Sequence, residues 1–393
     1  MHLPEIFPER QPVTWRTYKL LRRLQNSVIT RSQDLGDIEP PLHVECHCTV
    51  ESRASYKLES PRLISSKPLA SIVIPTRDRV DELRNLLRSA LMQTVPVEIH
   101  VMDDGEGGAT AEMIQREFPQ VQYHRCGTNR GPAFQRNRGI ELASCNFVFP
   151  VDDDALFVSP CTIEQTLAEF NGPRIGVVGI PYINVRQDQI VQQRAPEDDK
   201  IYVTSAFVGA AHAVRRDVFL SVKGFREHFF IMGEEGDLSL RMLNAGYLTR
   251  LGTADPLYHL ESPRRDFRRM DYYGRRNDVL FAWHNVPTRN LGIHLVGTTL
   301  NGIATAVSVG RFSAMLQGIA RGYVDCFRLW KRRYPVRRDI YQLHRLLKKK
   351  GPQLLSDIEN LLPPLENSQS TSQDNNVAAA EQTNSCAGVA RSP

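Results

Sequence analysis

An α/β architecture is predicted for this chain: a mostly parallel sheet flanked by helices, with a helical extension at the C-terminal end. Three observations predict it. Between residues 70 and 180, short apolar runs alternate with stretches whose apolar residues recur at spacings of three and four. Polar clusters follow the ends of the apolar runs, as they do where open parallel sheets bind ligands. Beyond residue 285 the alternation gives way to longer helical patterns, strongly basic from Arg321 to Lys350.

The elements follow in order. Ser71-Ile-Val-Ile74 is a short apolar strand that Pro75 is expected to stop. Leu83, Leu86, Leu87, Ala90 and Leu91 mark a helix. Val97 to Met102 is a second strand, Ala109 to Phe118 a helix, Val121 to His124 a third strand and Ala133 to Ala143 a helix. Phe147 to Phe149 is a fourth strand, Ile163 to Phe170 a helix, and Ile175 to Ile180 a fifth strand. Strands alternating with helices give a parallel sheet covered on both faces. Four regions result: an N-terminal extension over 1–66, a catalytic domain over 67–287, a basic helical region over 288–364 and a disordered tail over 365–393. The tail lacks aromatics and is rich in Ser, Gln, Asn and Ala. In the extension, Tyr18 to Ile29 reads as a basic helix and His43 to Val50 as an edge strand. A zinc site at His43, Cys46, His47 and Cys48 is disfavoured, because the C-x-C pair has no second pair.

Bulk composition narrows the function. With 393 residues, 41% apolar and 24% charged, the chain can bury a large core. A net charge of +5 does not by itself point to nucleic acid, and no nucleic-acid motif is present. Seven scattered cysteines read as reduced thiols. Met1 to Arg10 has no apolar run, so no signal peptide is expected and the chain is placed inside the cell. Leu291 to Gly310 carries no Asp, Glu, Lys or Arg, but its Asn, Thr and Gly favour an amphipathic or buried helix over a membrane span. No G-x-G-x-x-G or G-x-x-x-x-G-K-[ST] loop is present, which argues against a dinucleotide enzyme or a P-loop ATPase.

Three adjacent carboxylates, Asp152, Asp153 and Asp154, directly follow the fourth strand. They repel one another and any diphosphate, and a divalent cation between them would remove both problems. Thr76-Arg77-Asp78 and Asp103-Asp104-Gly105 end the first two strands and should converge on the same crevice. Arg136 and Arg138, near a helix start, can hold phosphate or pair with the aspartates. Gly233-Glu234-Glu235-Gly236-Asp237 opens another helix and offers a general base. His259, in a short apolar stretch, can complete a metal shell or contact phosphate.

Together, Ser71 to Arg79, Val101 to Gly105, Asn129 to Ala133, Arg136-Asn137, Val151 to Asp154 and Gly233 to Arg241 resemble the family 2 glycosyltransferases, which have the GT-A fold. Tyr258-His259 through Asn277 and the stretch Arg332 to Val336 resemble rhamnosyltransferase-like members. The resemblance implies an inverting transfer from a nucleotide-diphosphate sugar, assisted by Mg²⁺ or Mn²⁺. Pro75, Thr76 and Arg77 would line the base and ribose pocket, and Asp104 with Asp103 would bond the base. Gly131, Arg136, Asn137, Asp237 and Arg241 would contribute to the nucleotide-sugar site, with Asp153 near the sugar. Asp152, Asp154 and His259 would hold the metal. Glu235 stands where the family has an Asp, so either Glu234 or Glu235 could be the base. The acceptor expected is a glycan or lipid-linked glycan of cell-surface polysaccharide synthesis, and the basic, aromatic C-terminal stretch points to a peripheral contact over 288–350 with the inner face of the plasma membrane. An inactive binding protein of the same fold and a sugar nucleotidyltransferase are the alternatives.

Overall fold

A computed structural model describes residues 67–365 apart from 188 and 262–265. The helix, strand and cysteine cluster expected before residue 67, and the expected tail, lie outside the described residues. In chain order the first elements are β1 (Ala70–Thr76), α1 (Val80–Ala90), β2 (Val97–Asp103), α2 (Ala109–Glu117), β3 (Gln122–Arg125), α3 (Pro132–Leu142) and β4 (Phe147–Pro150). Next come β5 (Ala155–Phe157), α4 (Thr162–Ala168), β6 (Ile175–Gly179), β7 (Tyr182–Asn184), β8 (Val191–Gln192), β9 (Tyr202–Thr204), β10 (His212–Arg215) and α5 (Arg216–Ser221). The chain continues through α6 (Glu234–Asn244), β11 (Leu248–Leu251), β12 (Leu257–His259), α7 (Phe267–Asn285), α8 (Thr288–Val309) and α9 (Phe312–Arg328). It closes with α10 (Arg338–Lys350), β13 (Gln353–Leu354) and α11 (Leu355–Ile358).

Among the described residues the main sheet has nine strands in the order β13-β9-β11-β6-β10-β4-β1-β2-β3. Its pairings make β9 and β10 antiparallel to the other strands, so the sheet is mostly parallel. This is the mostly parallel, helix-flanked α/β architecture expected from the sequence. The alternation of β1 shows why both faces are covered. Ile72 and Ile74 join Leu83, Leu86 and Leu87 of α1 on one face. Val73 joins Ile140 of α3, Phe219 of α5 and Leu238 of α6 on the other. A strand buried on both sides has to be apolar throughout, which is why it reads as a continuous run.

Pro75 does not stop β1. The ladder with β4 ends at Val73↔Pro150, while that with β2 continues to Thr76↔Asp103. Proline therefore stands where its missing N–H is not needed by a neighbour. A second, four-stranded sheet in the order β5-β12-β7-β8 was not expected. Its strands have two or three residues each, too short for a period to show.

The C-terminal region is built into this body. β13 pairs with β9 at the edge of the main sheet, and Ile340, Tyr341 and Leu347 of α10 share a core with Leu240 and Leu243 of α6. Helix α9 lies close against α7: a side chain at Gly318 would meet the Tyr272 carbonyl, and one at Gly322 would stand 2.9 Å from the Arg276 carbonyl. Small residues permit that approach. Helix α8, expected to be amphipathic or buried, buries only Gly302 and Ala306. Its outward face is apolar, the reverse of an ordinary amphipathic helix.

Candidate active site

The three aspartates leave β4 and turn in different directions. The Asp153 carboxylate accepts hydrogen bonds from Thr76 Oγ1 at 2.8 Å and from Arg79 Nη1 at 2.7 Å. Burial, reinforced by Asp154 and opposed by Arg79, carries its pKa up to about 7. Asp154 Oδ2 lies 3.4 Å from Arg79. Asp152 Oδ1 accepts from Arg136 Nη2 at 2.6 Å, and the other terminal nitrogen of the same guanidinium reaches Glu234 at 3.1 Å. Burial opposes the Arg136 charge, but Asp152, Glu234 and Glu235 outweigh it and keep the guanidinium protonated. Two arginines thus already counter much of the repulsion from which a cation was inferred. Arg79 was missed as a site residue, and its only sequence signal was its place in Thr76-Arg77-Asp78-Arg79.

The metal reading stands instead on geometry. Asp152, Asp154 and His259 each offer a ligand atom within 4.8 Å of one another. The register of β12 on β7 sets His259 opposite Asn184, and Nδ1 of His259 lies 2.8 Å from Asn184 Oδ1. An oxygen partner assigns the proton to Nδ1, and Nε2 then turns toward Asp154 Oδ1 at 3.4 Å. Two carboxylates and an imidazole oriented in this way fit Mg²⁺ or Mn²⁺.

Glu234 and Glu235 open α6 after an unusual backbone. Phe230, Met232 and Gly233 have φ of 66°, 74° and 89°, a region costly for side chains larger than glycine. Asn277 of α7 supports the segment: its Nδ2 lies 2.8 Å from Phe229 O, 2.8 Å from Ile231 O and 2.7 Å from Met232 O. Glu234 is almost fully enclosed and tied to Arg136, and burial raises its pKa against that arginine. The Glu235 carboxylate receives no hydrogen bond from a side chain among the described residues, only from its own backbone N–H. Burial, followed by repulsion from Glu234, pushes its pKa up to about 8.

Several expected ligand-binding residues instead serve the frame. Asp104 accepts from the backbone N–H of Arg130 at 3.1 Å and of Gly131 at 2.7 Å, and from Gln135 at 2.5 Å. It caps the approach to α3. Asp103 is spent on Gly105 N–H and the Tyr123 hydroxyl. Asn137 exchanges two bonds with the Phe225 backbone, each 2.8 Å. Asp237 is fully buried between Arg226 and Arg241, with Asn285 at 2.7 Å; the two arginines outweigh burial and hold its pKa down. Arg241 also donates to the Val222 and Gly224 carbonyls. Thr76 and Asp153 bind each other at 2.8 Å. Pro75 is buried. Arg77 is exposed, with Asp78 3.7 Å away, and Asp78 has φ 55°, which a short polar side chain tolerates. Around the crevice remain Arg77, Arg79, Arg136, Asp152, Asp154, Asn184, Glu234, Glu235 and His259.

Residues 71–220 of the 393 match the family model described as Glycosyl transferase family 2. Glu234, Glu235 and His259 lie beyond the matched span. Among curated proteins, the chain is 27% identical to O-antigen biosynthesis protein RfbC of Myxococcus xanthus over 242 residues, 53% of this chain and 18% of that protein. It is 25% identical to an uncharacterized glycosyltransferase of Haemophilus influenzae over 199 residues, 48% of this chain and 67% of that protein. The first two curated relatives are covered over only 18% and 29% of their own lengths. Among solved structures, mannosyltransferase PcManGT from Pyrobaculum calidifontis, in complex with GDP-Man and Mn²⁺, superposes with a TM-score of 0.48 at 16% identity, over 72% of this chain and 85% of that one. S. aureus TarS does so with 0.48 at 16%, over 72% and 53%.

Proposed function

We propose that the chain transfers a hexose from a nucleotide-diphosphate sugar to a hydroxyl acceptor with inversion, and that Glu235 is the general base. The observation that carries this reading is the pairing of two features around one guanidinium. Arg136 touches Asp152 of the candidate metal cluster on one side and Glu234, next to Glu235, on the other. No side chain among the described residues donates to the Glu235 carboxylate, and its raised pKa makes it a stronger proton acceptor once ionised. In the reaction the acceptor O–H proton passes to Glu235 as the oxygen attacks the anomeric carbon, and the bond from that carbon to the diphosphate oxygen breaks. Asp152, Asp154 and His259 would hold Mg²⁺ or Mn²⁺, which when bound neutralises charge on the leaving diphosphate. Arg136 orients Asp152 and balances the crevice as the proton moves.

A glycan or lipid-linked acceptor in cell-surface polysaccharide synthesis is favoured by the name of the Myxococcus relative. A deoxyhexose donor such as a rhamnosyl nucleotide is favoured by the likeness of 258–277 to rhamnosyltransferase-like members. The test is incubation of the chain with a panel of nucleotide sugars, with and without Mn²⁺, while free nucleoside diphosphate is measured. Release from at least one donor that depends on acceptor and on Mn²⁺ is expected. No release from any donor would remove the enzymatic reading.

A further inference from the structure

We propose that the hairpin of α8 and α9 is a docking face that lies flat on an anionic phospholipid bilayer. The face is absent from the catalytic crevice and goes beyond the glycosyl-transfer reading.

The outward side of α8 carries Ile293, Val296, Leu300, Ile303 and Val307, all exposed. Their spacing alternates three and four, so they form one stripe along the helix; Ile293 is 82% exposed. The outward side of α9 carries Phe312, Leu316, Val324 and Phe327, spaced by fours and a three with Ala320 between, and Phe327 is 79% exposed. The two helices are antiparallel neighbours: Thr299 and Tyr323 hydroxyls lie 2.7 Å apart, and Gly302 faces Ile319. Exposed apolar stripes on two neighbouring helices mark this side of the hairpin as an interaction face.

Charge identifies the occupant. From Arg321 to Lys350 there are eleven Lys and Arg against two Asp. The antiparallel arrangement brings the end of α9, with Arg328 and Lys331, to the start of α8. Helix α10 adds Arg345 and Lys348 there: Tyr341 of α10 bonds His294 of α8 at 2.7 Å. Burial depresses the His294 pKa to about 4, with Lys348 and Arg345 pushing the same way. Trp330 and Tyr334 stand exposed at this end, where amphipathic aromatics suit a lipid–water boundary. An apolar face rimmed by cations matches anionic lipid.

A flat seat fits better than a span. Thr288–Val309 is long and apolar enough to cross a membrane, with a mean hydropathy of 1.2. However, α8 packs against α7 and α9, which are tied by the Arg276–Asp325 pair and, through Arg311 just before α9, by the Arg311–Asp271 pair. Threading α8 would draw those charges toward hydrocarbon.

The experiment is co-sedimentation of the 393-residue chain with vesicles of phosphatidylcholine alone and of phosphatidylcholine with phosphatidylglycerol. Binding to the anionic vesicles, weakened by 0.5 M NaCl, is expected. Ile293→Glu with Leu300→Glu should lower the partition coefficient at least tenfold; both sites are exposed, and a melting curve checks the fold. Lys348→Glu with Lys349→Glu should lower it roughly fivefold for each basic side chain removed. No binding, equal binding to neutral vesicles, or wild-type binding by both variants would overturn the proposal. A concentration-dependent dimer that the Ile293/Leu300 variant disperses, without lipid binding, would assign the face to a second copy.

Discussion

Replacing Glu235 with Gln separates a catalytic base from a structural carboxylate, because the two roles predict opposite changes in stability. Gln keeps the shape and removes the charge. In the folded chain the Glu235 pKa rises from 4.5 to about 8 through burial and the neighbouring Glu234. Below pH 4.5 the side chain is neutral whether folded or unfolded, and the substitution should change little. Between pH 4.5 and about 8 the unfolded chain ionises first, so the native enzyme loses stability as pH rises; the Gln variant does not. The full displacement corresponds to roughly 5 kcal/mol. Water reaches the side chain, and part of the effect is repulsion shared with Glu234, so about 2 kcal/mol is expected at pH 8. Urea unfolding of metal-free protein from pH 5 to 9 measures it. On the same samples, nucleoside-diphosphate release should fall by about 10² to 10⁴, the range for loss of a general base. Glu234→Gln, which breaks an ion pair with Arg136, should lower stability and keep turnover within about tenfold. A Glu235→Gln variant that is less stable than wild type at pH 8, or that turns over normally, would refute the assignment.

Three further outcomes follow from the same geometry. Arg136→Met leaves Asp152 and Glu234 without their shared buried partner and should cost about 3–5 kcal/mol in urea unfolding near neutral pH; a change below about 1 kcal/mol would show that the pair is not needed. Asn184→Ala removes the acceptor that fixes the His259 tautomer and should weaken Mn²⁺ binding about 10- to 100-fold by calorimetry, while unchanged affinity would take His259 out of the metal site. Asn277→Ala frees three carbonyls of the strained segment before Glu234; kcat should fall more than KM rises, with about 1–3 kcal/mol lost from stability, and an equal loss from an Ala substitution at exposed Asp278 would show that the effect is not specific.

The parallel strands were legible because burial on both faces makes each an apolar run, and the helices between them because one face is apolar. Pro75 misled because its effect depends on where the β4 ladder ends, which no local pattern records. The short strands of the second sheet left no period at all. In the site, Asp152, Asp154, Arg136, Glu235 and His259 were findable as charged or titratable groups at element ends. Asn184 was not, since its role comes from the register of β12 on β7. Arg79 reaches across more than seventy residues of chain to Asp153 and Asp154. Asp103, Asp104, Asn137, Asp237 and Arg241 are the same residue types as the ligand-facing ones. Whether such a side chain meets a substrate or a backbone N–H is decided by a rotation the sequence does not record.

Helix α7 has a consequence for how this protein can be dissected. Its Asn277 supports the backbone that presents Glu234 and Glu235, and one residue earlier Arg276 is anchored to Asp325 of α9 at 2.6 Å. Val279 and Leu280, on the same helix, share a core with Ile319 and Cys326. One beam thus bears the loop of Glu234 and Glu235 on one side and the C-terminal hairpin on the other. Cutting the chain after Pro287 would not unclip an accessory; it would strip that beam of its cladding and slacken the loop it carries. Point changes on the outward stripes, which leave the joint intact, are the way to interrogate the two ends separately.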